Sequence, residues 1–299
     1  TLKAGTEAQR AAPHEKFSFF ITDKTLAEKT SISPMAMLFD QNNPFSFRDS
    51  AIRWQGSAYI QDTFSLKTNW TINAGVRFDR TTIMVSDSLL SPRVGTAFYL
   101  PTTKTVLRAS YNRLFTPPQL ENLLLSSSQK AFRLSPFADQ QTINSMAVPP
   151  EKQHAFETGF GQSFGNWFQL NAAYWWRLMK NSGDPNVFFG TSIIFPNSVN
   201  KGKAQGLEAR IDFPQKKGWS GYLSYSNSRI FQIGPINGGL FLEDDIINIG
   251  LGIKFNPDHD QRNTGAFGVV YRDPSEIWIS FSGRHSSGTP LEVDPDRLK

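Results

Sequence analysis

From Ile52 to Asn112, apolar and polar residues alternate one by one through several successive segments. Ile52, Trp54, Gly56, Ala58 and Ile60 share one face, and Arg53, Gln55, Ser57, Tyr59 and Gln61 share the other. The next segment repeats the pattern, with Trp70, Ile72, Ala74, Val76 and Phe78 set against Thr71, Asn73, Gly75, Arg77 and Asp79. A period of two predicts β-strands with one dry and one wet face. The wet face carries Arg and Asp in mid-strand. A length of about ten residues suits a strand that crosses a bilayer at a tilt.

Continuing along the chain, the same reading predicts hairpins over 52–66 and 70–80, 93–100 and 105–114, 152–163 and 167–180, 201–213 and 219–230, and 264–272 and 276–285. Within each hairpin the connection is short and rich in Pro, Gly, Asn or Asp, the residues that favour turns. Between hairpins the connections are long: about a dozen residues at 81–92, then 115–150, 181–200 and 231–262. Ile247, Ile249, Leu251, Ile253 and Phe255 also alternate with polar or small residues. Asp273-Pro274-Ser275 resembles the other short turns, however, so 231–262 is read as one long loop containing its own hairpin or helical piece. Short and long connections in strict alternation distinguish an up-and-down barrel in an outer membrane from a Greek-key sandwich.

Composition supports the dry faces looking into lipid. Of 299 residues, 19% are charged and 13% are aromatic, with 25 Phe and 7 Trp; an ordinary soluble domain is about a quarter charged. No window approaches eighteen consecutive apolar residues and mean hydropathy is −0.37, which excludes a helical span but not alternating strands. Trp70, Trp167 and Trp219 each fall at a strand start just after a short turn, with Tyr174, Trp175 and Trp176 near the far end of their strand. Those are the positions of interfacial aromatic girdles.

Enzyme chemistry finds no support. There is no cysteine and there are only four histidines. His154 and Glu157 fall on opposite faces of a strand, which is wrong for a shared metal. His259 sits between Asp258 and Asp260 in a turn. No Ser nucleophile elbow or phosphate loop is present. Basic residues are scattered despite a net charge of +5, so nucleic acid is not an expected partner. Glu243-Asp244-Asp245 is the one run able to take Ca²⁺ through hard oxygens, without the ordered spacing of a calcium loop. No catalytic residue, metal site or other cofactor is assigned.

Several phrases together resemble one family. Tyr59-Ile60-Gln61-Asp62, followed by Leu66 and by Asn73-Ala74-Gly75-Val76-Arg77-Phe78-Asp79, resembles the "Y-x-Q-D … L-N-x-G-x-R-x-D" of TonB-dependent outer-membrane receptor barrels. Ser91-Pro92-Arg93-Val94-Gly95, Arg108-Ala109-Ser110-Tyr111, Pro150-Glu151 with Glu157-Thr158-Gly159, Ala204 with Gly206-Leu207-Glu208, and Asp260-Gln261-Arg262 follow in the family's order. The resemblance implies an all-β, antiparallel, up-and-down transmembrane barrel. About ten or eleven strands of an expected ~22 are recognisable, and no plug-like region is.

Residues 1–51 then form a flanking segment, a barrel strand plus an outer loop, and 52–299 the barrel region. No charged-then-apolar leader opens the chain at Thr1, and the sequence reads as a portion of a longer protein. The implied function is import of a scarce nutrient (an iron chelate, cobalamin or an oligosaccharide) across the outer membrane of a Gram-negative bacterium. Energy would reach it from TonB through a plug absent from this chain, and lipid and lipopolysaccharide would surround the barrel. A passive porin or adhesin is the alternative. In the predicted outer loops, Phe132, Phe137, Phe188, Phe189 and Phe195 are the candidate ligand contacts. Arg77, Arg93, Arg108 and Glu208 lie on the wet face, where cross-strand salt-bridge ladders are expected.

Overall fold

A computed structural model covers residues 1–299, and the structure describes all of them except 30–31, 136–142, 190, 243–251, 253, 276 and 291–299. The strands in chain order are β1 (Leu2–Ala11), β2 (His14–Phe19), β3 (Phe45–Ser50), β4 (Arg53–Lys67), β5 (Trp70–Thr81), β6 (Asp87–Leu100), β7 (Thr105–Thr116), β8 (Ile143–Ser145) and β9 (Glu151–Phe164). They continue with β10 (Phe168–Gly183), β11 (Asn186–Val187), β12 (Ile194–Phe195), β13 (Asn197–Lys216), β14 (Trp219–Gly238), β15 (Lys254–Phe255), β16 (Asn263–Arg272) and β17 (Trp278–Ser286). Three short α-helices, α1 (Lys24–Lys29), α2 (Leu123–Ser126) and α3 (Gln129–Leu134), and one 3₁₀ turn (Ala36–Leu38) lie in the connections.

Eleven long strands form one path in the order β1-β4-β5-β6-β7-β9-β10-β13-β14-β16-β17, each antiparallel to its neighbours. The hairpin of β2 and β3 is an excursion off this path. The result is a partial up-and-down barrel. The path runs directly from β14 to β16, and the described residues of 239–262 contribute no strand to that path. Of the alternating stretch there, Lys254–Phe255 forms a strand that pairs back onto Gln232 and Ile233 of β14; residues 247–251 and 253 lie outside the described residues.

Turn chemistry at one end is tight. Lys217-Gly218 joins β13 to β14 with both residues at positive φ, 50° and 85°, the geometry whose twist matches a two-residue hairpin. Two wall glycines allow close strand approach: a Cβ at Gly75 would lie 2.7 Å from the Ile60 carbonyl oxygen, and one at Gly159 would lie 2.6 Å from that of Ala172.

Three predicted boundaries move, for a common reason. The dozen-residue loop at 81–92 shrinks to 82–86, because β6 starts at Asp87 and pairs with β5 from Thr81 onward. At 181–200 and 231–262, β10 runs to Gly183, β13 starts at Asn197 and β14 continues to Gly238. These extensions carry mixed residues without alternation, so backbone pairing continues where the hydrophobic period stops. The 20 residues of β13 and of β14 are about twice the 9–11 needed to cross a bilayer. Their ends distal to the short turn change from half-exposed to buried, at Val199, Gln232 and Ile236.

The dry core therefore lies off the wall. Phe19, Ala36, Phe45, Phe47, Leu124, Leu125, Ala131, Leu134, Phe195, Leu240 and Leu242 form one buried cluster drawn from four long connections. Along the wall, by contrast, Ile60, Phe64, Leu90, Val94, Leu107, Leu207 and Leu223 are exposed. No helix among the described residues is long and apolar enough to cross a membrane.

Candidate functional site

Register places the wet-face residues on a single surface, the inner face of the partial barrel. Arg108, Glu157, Asn171, Glu208, Arg210 and Arg284 line a cleft of about 650 Å³ there. One ion pair joins different strands, Lys152 of β9 to Asp87 of β6 at 2.8 Å, but Arg77, Arg93, Arg108 and Glu208 do not form the expected cross-strand ladder among the described residues. The pairs on this face join residues two apart on one strand: Arg77 Nε to Asp79 at 2.8 Å and Arg210 to Asp212 at 2.7 Å. Residues i and i+2 of a strand share a face, so a long Arg reaches along its own strand to the shorter Asp. Glu208 instead accepts from Trp175 Nε1 at 2.9 Å, and the Arg210 guanidinium lies 4.4 Å from the centre of the Tyr222 ring.

The opposite face is apolar and has two aromatic levels. At the short-turn end stand Trp70, Trp167 and Trp219, all exposed; Trp219 packs on Tyr271 at 4.9 Å and Lys216 Nζ sits 3.5 Å from the Trp167 ring centre. Trp167 itself belongs to the turn before β10. A second level joins Tyr111 to Phe156 (5.0 Å) and Phe156 to Trp176 (4.9 Å, stacked). Trp176 is thus in the middle of β10, about one bilayer span from Trp167, while Trp175 turns inward. The upper part of β10 rises beyond the second level.

At the long-connection end, the loops pack as a cap. Phe17 meets Phe188 and Phe195 edge-on at 5.4 and 5.2 Å, and Phe19 meets Phe45 at 5.1 Å. Glu15 of β2 is buried beneath them, and its two carboxylate oxygens accept the N–H groups of Leu124 (2.8 Å) and Leu125 (2.9 Å). Burial pushes this carboxyl above the ordinary glutamate range, an effect opposed by the amides of Leu124, Leu125 and Leu123 and reinforced by Asp49.

Beside the cap, a second cleft of about 340 Å³ is lined by Asp184, Asn186, Phe188, Phe189, Asn197 and Asp258, among others. Burial raises the Asp184 carboxyl to about 6 against the pull of His259, with Asp258 adding to the rise and hydrogen bonding from Gln232 opposing it. His259 Nδ1 lies 4.0 Å from Asp184 and 3.1 Å from Asp258.

The phenylalanines singled out from sequence separate on this geometry. Phe188 and Phe189 both line the second cleft, with rings 4.7 Å apart; Phe189 is 40% exposed and Phe188 is half-buried. Phe195 is fully buried in the cap core and presents no surface to a ligand. Phe132 is half-buried on α3. Phe137 and the acidic run Glu243-Asp244-Asp245 lie outside the described residues. Sequence reading missed Asp184, Asn186 and Asn197, which carry no motif, and the cap residues Phe17, Phe19, Phe45 and Phe47. The alternation Phe17-Ser18-Phe19 against Phe45-Ser46-Phe47 was the available signal for those.

No curated protein sequence matches the chain. Among solved structures it is similar to "Copper transporter OprC", with TM-score 0.58 and 14% identity over 91% of this chain and 38% of that one. It is similar to the FrpB iron transporter from Neisseria meningitidis, with TM-score 0.55 and 16% identity over 93% of this chain and 40% of that one. It is also similar to the siderophore receptor PiuA from Acinetobacter baumannii, with TM-score 0.53 and 16% identity over 81% and 34%. At these identities the likeness is one of fold, and the chain spans about 40% or less of each of these structures. The family profile "TonB dependent receptor-like, beta-barrel" matches residues 24–296, and that family consists of receptors and transporters of the Gram-negative outer membrane, not enzymes. The chain belongs to the TonB-dependent receptor β-barrel family.

Proposed function

We propose that this chain forms part of the wall of an outer-membrane receptor that imports a scarce nutrient with energy delivered through TonB. The observation that carries the reading is the division of the molecule: an apolar outer face with two aromatic levels, a charged inner face, and long connections packed into a cap at one end. Lipid and lipopolysaccharide would meet the outer face, a plug would occupy the charged lumen, and the cap would stand at the cell surface. The nutrient would be an iron chelate, cobalamin or an oligosaccharide, contacted by exposed cap residues such as Phe189. Copper, iron and siderophores are named for the structurally similar proteins and set the first ligands to try.

The test is uptake of radiolabelled ligand by cells expressing the intact receptor, with and without TonB. The expected result is surface binding in both strains and accumulation only with TonB. Equal accumulation in both strains, together with steady open-channel conductance in planar bilayers, would replace this reading with a passive porin.

A further inference from the structure

One wall of the loop-end cleft is rich in hydrogen-bond acceptors that no donor satisfies. Asp184 directly follows β10, and its N–H donates to the Asn197 carbonyl at 3.3 Å, joining the ends of two neighbouring strands. Asn186 spends its side-chain N–H on the Leu240 carbonyl at 2.7 Å, which leaves its buried Oδ1 without a partner. Asn197 is 6% exposed and its Oδ1 also lacks a donor. Gln232, fully buried and outside the cleft lining, donates to Ser182 Oγ at 3.2 Å and hydrogen-bonds the Asp184 side chain, which orients that carboxylate. A buried polar atom left unpaired costs about 1–3 kcal/mol, and Asn186 and Asn197 line the same cleft as the half-buried Asp184 carboxylate, so their unmatched oxygens call for a positively charged partner. His259 does not fill that role: it lies at the outer limit of ion pairing with Asp184 and closer to Asp258.

We propose that Asp184, Asn186 and Asn197, which line this cleft together, hold a hard divalent cation in it, with Ca²⁺ the best-matched ion. Carboxylate and amide oxygens supplemented by water are the ligands Ca²⁺ prefers, in sets of six to eight and in flexible geometry. Soft ions are disfavoured, since the chain has no cysteine and the unmatched atoms are all oxygen. Among the described residues no three His, Cys, Asp or Glu side chains gather as a metal set; amide oxygens supply most of this one. A cation here would tie the end of β10 to the start of β13, bracing the cap against the wall. The site stands apart from the transport reading, and its test does not use transport.

The experiment is calorimetric titration of Ca²⁺ alone into the chelator-treated protein in detergent, with Mg²⁺ as comparison. Binding is expected with a Kd of about 0.1–1 mM, the range of extracellular calcium modules, and weaker for Mg²⁺. Asp184→Asn should weaken it at least tenfold and Asn197→Ala severalfold, with barrel integrity followed by heat-modifiable gel mobility. Should Asp184→Asn misfold, the wild-type protein still decides: Ca²⁺ should slow hydrogen exchange over 184–189 and 232–238. No binding up to 10 mM (about tenfold above the expected range), no change in that exchange, or binding that survives Asp184→Asn and disappears in Asp244→Asn would overturn the assignment.

Discussion

Glu15 Oε1 accepts the backbone N–H of Leu124 at 2.8 Å across 109 residues of chain, fastening the connection between β1 and β4 to the one between β7 and β9. The second oxygen takes Leu125, so both orphan donors at the start of α2 are met by one side chain from another loop. Glu15→Gln places an N–H₂ where an acceptor is required and leaves a buried donor unmatched. The cap should lose about 1–3 kcal/mol, read as faster hydrogen exchange at 123–126 with the barrel strands unchanged.

The same residue gives the cap a pH dependence. Because burial raises the Glu15 carboxyl, the folded cap binds its proton more tightly than an unfolded loop does, whose value is about 4.3. The contribution is therefore complete below that value and is lost as pH rises through the raised one. Thermal melts of the cap should fall in midpoint between pH 4 and neutrality. The slope from this group should vanish in Glu15→Gln; an identical slope in the variant would show that another group sets it.

Faces of the wall predict opposite outcomes for one substitution. Leu223 lies on the outer face and pairs with Ile211 and Phe267, whereas Ser226 faces inward directly opposite Glu208. Leu223→Arg should impair insertion by about 2–4 kcal/mol, the cost of a cation at lipid depth. Ser226→Arg should insert normally, its guanidinium within reach of the Glu208 carboxylate. Folding yields into lipid vesicles, scored by gel mobility, distinguish them.

Two phenylalanines separate packing from contact. Phe195→Ala empties a fully buried site and should cost the cap about 3–5 kcal/mol. Phe189→Ala removes a 40% exposed ring at the cleft mouth and should leave stability nearly unchanged while reducing nutrient binding to cells. If Phe189→Ala instead destabilised the cap as much as Phe195→Ala, its ring would be packing and not a contact.

The wall was legible in the sequence because it is one residue thick. Ile72 or Val76 can face only outward and Arg77 only inward, so the period of two is undiluted by any second layer. Strand ends were not legible, since Ser88, Asn197 and Ser198 continue the ladder beyond the level where a bilayer enforces alternation. The cap was hidden for a different reason. Its core joins Phe19, Leu124, Phe195 and Leu240, residues brought together only by the closing of the wall, and no local period marks such a set. The acceptor-rich cleft is likewise built from single residues at neighbouring strand ends. Asp184, Asn186 and Asn197 look like ordinary turn and surface residues until the register aligns them.

The separation of the dry core from the wall gives this protein two solvents and two kinds of resistance. Water drives the cap together, and it should yield to urea much as a small globular domain does. The wall owes its cohesion to backbone pairing and to the lipid around it, so detergent choice should govern its endurance while leaving the cap largely indifferent. A single chain should then lose structure in two stages whose order the experimenter selects, cap first in denaturant and wall first in a harsh surfactant.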